Sequence, residues 1–173
     1  MEKGDDRMRP ANDMDKLTGI EDVRAFLDYE ADLLDRNDYH RWLDLWEPEG
    51  FYILPIEREG KDHADRLNHV FDDHVMRRQR VERLLSGHAP SAAPIMRTVR
   101  FISRLRVMET GDAEVLVSSS LLIASYKRQV LKQLPADVTH RLTVRPGEGI
   151  RIREKIVRLI DSDEPLGELS FVL

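Results

Sequence analysis

The run from Pro94 to Met108, Pro-Ile-Met-Arg-Thr-Val-Arg-Phe-Ile-Ser-Arg-Leu-Arg-Val-Met, constrains this chain more than any other stretch. Its residues alternate with a period of two. Val99, Phe101, Leu105 and Val107, with Ser103 among them, are expected to point to one side, and Arg100, Ile102, Arg104 and Arg106 to the other. That is the pattern of a half-buried strand. At about 3.3 Å per residue the run would reach on the order of 40 Å, well beyond the usual strand, and a sheet of such strands must twist and curl. Curled over helices, a long antiparallel sheet makes an open cone with one apolar face. The upstream segments are then the lid of the cone, and its basic outer face needs a partner.

Downstream, more strands follow. Thr110-Gly111-Asp112 reads as a hairpin turn into Ala113 to Tyr126, which alternates through Val115, Val117, Leu121 and Ile123. Leu134-Pro135-Ala136-Asp137 is expected to break the next run. Val138 to Val144 resumes it, Pro146 to Gly149 turns, Ile150 to Ile160 returns, and Leu169 to Leu173 is expected as a last strand.

Upstream, Met1 to Lys16 is polar without apolar period, so a loose arm is expected there, with a single domain from residue 17 to 173. Thr18-Gly19-Ile20-Glu21 has the spacing of a capping box. Ile20, Val23, Leu27 and Leu34 then form one stripe of a packing helix, with Asn37 as its stop. Tyr39, Trp42, Leu43 and Trp46 repeat at helical spacing before Pro48, and the two tryptophans are expected to plug the cone. Phe51 to Ile56 reads as an edge strand because of Pro55, and Glu57 to Asn68 as a surface loop. Phe71-Asp72-Asp73 leads into a basic helix ending near Ser86-Gly87. Met76, Val81, Leu84 and Leu85 are expected inward on it, and Arg77, Arg78, Arg80 and Arg83 largely outward. Helices first and strands afterwards make the chain α+β.

Composition narrows the chemistry. With 173 residues, 41% of them hydrophobic, the chain can bury one substantial core. It has no cysteine, so disulfides, thiol nucleophiles and thiolate-held clusters are excluded. No signal segment or run of eighteen apolar residues is present, and a cytoplasmic protein without membrane contact is expected. Charge is divided unevenly. Residues 1–75 hold 10 Lys and Arg against 21 Asp and Glu, a net −11, and residues 76–173 hold 17 against 11, a net +6. The basic half lacks interleaved aromatics and shares its chain with a larger acidic excess, so a subunit-facing surface is a better account of it than nucleic acid.

Several strings in this order resemble the small (beta) subunit of aromatic-ring-hydroxylating dioxygenases. They are Glu30-Ala31-x-x-Leu34-Asp35, Trp42-Leu43, Phe51-Tyr52-Ile53-Leu54-Pro55, Phe71-Asp72-Asp73, Arg80-Val81-x-Arg83-Leu84, Pro94-x-x-Arg97-Thr98 with Ser103, and Leu169-Ser170-Phe171. The resemblance implies a curved, mixed or antiparallel sheet forming a cone over N-terminal helices, similar to nuclear transport factor two and cystatin. It also implies a non-catalytic role, supporting a large (alpha) subunit that carries a Rieske iron–sulfur cluster and a mononuclear iron, in a hexamer of three large and three small subunits. No catalytic, cofactor or metal residue is then expected in this chain. Arg97, Arg100, Arg104 and Arg106 are the expected subunit contacts.

Two other chemistries compete. Asp65, His69, Asp73 and His74 include the residue types of a facial iron triad, but His69 and His74 lie five apart, about 140° around a helix, and would not converge on one. A stand-alone dehydratase or isomerase could use Asp44 as base with Tyr52 or Tyr126 as hydrogen-bond donor. The cone interior separates the readings: a scaffold is packed there, and an enzyme is hollow with convergent polar groups.

Overall fold

The computed structural model describes residues 19–60, 62–86, 96–145, 147–164 and 171–173. The expected arm, Thr18 of the expected cap, Pro94-Ile95 of the organising run, and Leu169-Ser170 of the expected last strand lie outside them. Helix α1 (Ile20–Asp35) starts from Gly19, whose amide donates to Asp22 Oδ2 at 3.0 Å. It buries Val23, Leu27, Ala31 and Leu34, and Asn37 ends it at a φ of 57°, a left-handed conformation that asparagine tolerates.

Helix α2 (Tyr39–Leu43) is a single turn, shorter than its sequence period suggests. Trp46 instead opens strand β1 (Trp46–Pro55), and Pro48 sits inside that strand. The tryptophans still meet edge to face, with ring centroids 5.3 Å apart, and Tyr52 joins them at 5.9 and 6.2 Å. Their expected role as an apolar plug holds, although they come from two elements.

Among the described residues six strands make one mixed sheet in the order β2-β1-β6-β5-β4-β3, where β2 is Asn68–Asp72, β3 Arg97–Thr110, β4 Glu114–Lys127, β5 Val130–Arg145 and β6 Gly149–Leu159. All neighbours are antiparallel except β1 and β6. β1 is therefore internal rather than an edge. The five-residue β2, read as loop and helix approach, is the edge in its place. Pro55 is accommodated where the β1–β2 register shifts. Strand β5 also runs unbroken through Pro135, whose carbonyl accepts from the Ile160 amide. The β4–β5 turn falls at Arg128 and Gln129, with φ of 49° and 66°, the double left-handed geometry of a tight hairpin. Phe171 to Leu173 form no strand but are buried in the core.

Helix α3 (His74–Leu85) is capped by Asp73, which accepts from the Met76 amide at 2.8 Å. Its facing differs from expectation. Arg77 points inward, stacks over Trp46 at 4.1 Å and donates to the carbonyls of Gly50 and Asp72, while Met76 and Leu85 are exposed. An arginine with carbonyls to bond and an indole to cover is a better filler at that corner than an aliphatic chain.

The organising strand is β3, and its phase is the reverse of the expected one over the first half. Val99 and Phe101 are 52% and 56% exposed on the outer face, whereas Thr98, Arg100 and Ile102 face inward. A bulge between Ser103 and Arg106, with Arg104 at a φ of 55°, resets the alternation and brings Leu105 inside. Val107 is exposed beyond it. On β4 the expected Val115, Val117, Leu121 and Ile123 are all buried, so the core lies between these residues and α1.

Candidate functional site

A buried carboxylate is the centre of the interior. Glu30 lies on the buried side of α1, beside Leu27, Ala31 and Leu34, and faces the sheet. Its Oε1 accepts from Trp42 Nε1 at 3.0 Å and from Lys155 Nζ at 2.8 Å, and its Oε2 lies 3.1 Å from His140 Nε2. Lys155 follows the inward alternation of Val157 and Leu159, and His140 that of Ala136 and Val138, so the sheet geometry aims both at the helix. All three side chains are at most 5% exposed.

Charges this deep persist only when paired. Burial alone would raise the Glu30 carboxyl, but the Lys155 ammonium and the His140 hydrogen bond outweigh it and hold the group well below the usual carboxylate range. Burial also pushes His140 down, against the opposing pull of Glu30. At neutral pH the imidazole is therefore uncharged, with Nε2–H donating to Glu30 and Nδ1 left as an acceptor.

Beside this cluster, Arg100 binds α1 to the core. Its guanidinium pairs with Asp35 Oδ1, donates to Thr98 Oγ1 at 3.0 Å and to the Val172 carbonyl, and lies over the Phe171 ring. The Asp35 carboxylate also accepts from the Arg100 amide at 3.0 Å and the Thr98 hydroxyl at 2.8 Å. With its side chain 2% exposed, Arg100 is an internal tie and cannot serve as the outward contact its alternation suggested.

Between α1 and the sheet remains a cavity of about 10 Å³, walled by Leu34, Ile102, Leu121 and Val138 and reached by Arg100 and His140. That is room for one water and none for an aromatic ring. Among the described residues the interior thus has convergent polar groups around a cavity of this size, and those groups are largely spent on one another. The candidate enzyme residues are not brought together either. Asp44 is exposed at the end of α2, Tyr52 is buried with its hydroxyl on the Leu173 backbone, and Tyr126 lies on the outer surface beneath Arg97. The four residues of the facial-triad alternative are likewise occupied separately. Asp65 closes a short 3-10 turn, His69 Nε2 meets the Ser162 carbonyl at 2.7 Å, Asp73 caps α3, and His74 begins it.

The outer face is apolar at one end. Val99 and Phe101 lie beside Ala124 and Leu122 of β4, and Arg97 covers Tyr126 with its guanidinium 4.8 Å from the ring. Arg104 and Arg106 are exposed on the same strand. Of the four arginines singled out in the sequence, three are thus open to a partner.

Glu30 belongs to one of the strings that carry the family resemblance, but nothing in the sequence pairs it with His140 or Lys155. The available signal was an ionisable residue at a core phase: Glu30 in the α1 stripe, His140 and Lys155 at inward positions of alternating strands.

Comparison with known proteins places these features in context. Residues 29–163 match the family model described as ring hydroxylating beta subunit. The chain is 28% identical over its whole length to the small oxygenase component of the p-cumate 2,3-dioxygenase system of Pseudomonas putida, covering 97% of that protein. The beta subunit of benzoate 1,2-dioxygenase from Burkholderia mallei superposes with a TM-score of 0.74 at 19% identity, over 89% of this chain and 97% of that one. A nuclear transport factor two-like protein with a cystatin-like fold from Novosphingobium aromaticivorans superposes at 0.58 and 12% identity, over 86% of each chain, as the cone reading requires.

Proposed function

The chain belongs to the family of ring hydroxylating beta subunits, and from that membership we propose that it holds a large oxygenase subunit in place within a hexamer of three large and three small subunits. The large subunit would carry the Rieske cluster and the mononuclear iron. A Rieske centre takes two cysteine ligands, and this chain has no cysteine. The reading places the assembly in the cytoplasm, where thiolate ligands stay reduced. The observation that carries the scaffold role is the small space left between α1 and the sheet among the described residues: a cavity of about 10 Å³ beside a Glu30–His140–Lys155 cluster that is internally paired.

Contacts are assigned to the outer face, through Val99, Phe101, Arg97, Arg104 and Arg106. Exposed apolar side chains on a sheet face that no described element covers, rimmed by arginines, have the composition of an interface core and rim. The test is co-expression with the large subunit, followed by light scattering and turnover of an aromatic substrate. A stable complex of equal stoichiometry, with turnover only when both chains are present, is expected. Turnover by the small chain alone, or a large subunit fully active and correctly assembled without it, would refute the scaffold role.

A further inference from the structure

We propose that the cavity between α1 and the sheet is a hydration site, in which one internal water accepts from Arg100 Nε and donates to His140 Nδ1. Two observations meet there. Arg100 Nε and His140 Nδ1 are fully buried and neither has a partner among the described residues, although Glu30, Lys155, the other guanidinium nitrogens of Arg100 and His140 Nε2 do. Both residues also line the same cavity, whose volume of about 10 Å³ is that of a single water site.

The chemistry of the two atoms selects the ligand. A guanidinium Nε can only donate. His140 Nδ1 can only accept while Nε2–H is committed to the Glu30 carboxylate. The occupant must therefore accept from one and donate to the other, and the walls of Leu34, Ile102, Leu121 and Val138 exclude anything larger. Water meets both conditions. Lys155 and Ser119, which also line the space, offer it further partners, and an internal water usually makes two to four such bonds. Protonating Nδ1 instead would put an imidazolium beside the cations of Lys155 and Arg100, with the Glu30 and Asp35 carboxylates already engaged by those same cations.

With the water in place, the polar groups of this cluster form one chain. It runs Asp35–Arg100–water–His140–Glu30–Lys155 and joins α1 to β3, β5 and β6. The inference concerns the interior alone and stands apart from the assembly proposed above.

The test uses the full unaltered chain. A crystal structure that orders internal waters, a second crystal pressurised with xenon, and nitrogen NMR of labelled histidine in solution are compared. The expected result is a single density peak within hydrogen-bond distance of both atoms, no xenon in the cavity, and His140 as the Nε2–H tautomer with a hydrogen-bonded Nδ1. Xenon among Leu34, Ile102, Leu121 and Val138 would show a dry cavity and overturn the proposal. A direct Arg100–His140 contact, or a proton on Nδ1, would overturn it equally.

Discussion

Replacing Lys155 by Met removes the ammonium from Glu30 while keeping most of the aliphatic stem. Glu30 then stays buried with only Trp42 Nε1 and His140 to hold it. Breaking a buried pair by removing one partner costs about 3–5 kcal/mol. The two surviving hydrogen bonds put the expected loss at the lower end, about 3 kcal/mol, which for a chain of this size lowers the melting temperature by roughly 6–12 °C. The loss also has a pH signature. In the unaltered chain burial works to raise the Glu30 carboxyl, yet Lys155 and His140 keep it below its ordinary 4.5, so its contribution is present above that value and fades as pH falls. Without Lys155 the carboxyl rises, and protonating it relieves the buried charge. The gap between the two proteins should therefore narrow from pH 7 to pH 4.5. Urea unfolding followed by tryptophan fluorescence reads this directly, because Trp42 bonds to Glu30. The double variant Glu30→Gln with Lys155→Met should recover a large part of the loss. A single variant destabilised by less than about 1 kcal/mol, or a gap that does not change with pH, would refute the argument that the pair is an obligate unit.

Three further outcomes are expected. Because burial lowers His140 below 6.5, the unfolded chain takes up that proton first, so stability should fall as pH drops through 6.5; His140→Gln should flatten this limb in midpoint-against-pH curves. Asp35→Asn should loosen Arg100 and with it Phe171 to Leu173, at a cost of about 2–4 kcal/mol, and hydrogen exchange should quicken at the Leu173 amide that donates to Tyr52. Arg104→Glu with Arg106→Glu should leave the unfolding midpoint within about 0.5 kcal/mol while weakening association in light scattering; unchanged association with unchanged salt dependence would return both to ordinary solvated charges.

The layout of helices and strands was legible because periodicity reports local geometry. What it could not supply was phase. Strand β3 alternates visibly, but Arg100 faces inward because Asp35 and the Val172 carbonyl, 65 and 72 residues away, await it there. Once β4 also carries Leu122 and Ala124 on its outer side, apolarity no longer tells inside from outside. The bulge at Arg104 and the turn at Arg128-Gln129 use left-handed residues without glycine or asparagine, so no composition signal marks them. The parallel pairing of β1 with β6 depends on strands a hundred residues apart and has no local trace. The interior cluster was half visible. Glu30 and Asp35 bracket the Glu-Ala-x-x-Leu-Asp string that carried part of the family resemblance, and both prove to be the carboxylates that α1 presents to buried cations.

The bulge at Arg104 also bears on how the subunit survives before it meets a partner. Strand β3 is a fourteen-residue edge whose outer face is apolar at Val99 and Phe101, which is the sort of template that recruits strands from other chains into aggregates. Two register shifts, at Ser103/Arg106 and at Val107/Glu109, interrupt its outer row of amides and carbonyls, in which Asp35 already takes the Arg100 amide, and the arginines there add repulsion to any like edge approaching. The opposite edge is guarded by shortness instead, since β2 has only five residues. Deleting Arg104 would remove the first of the β3 interruptions, leave that strand in continuous register with β4 over that stretch, and make its edge a better template for a foreign strand.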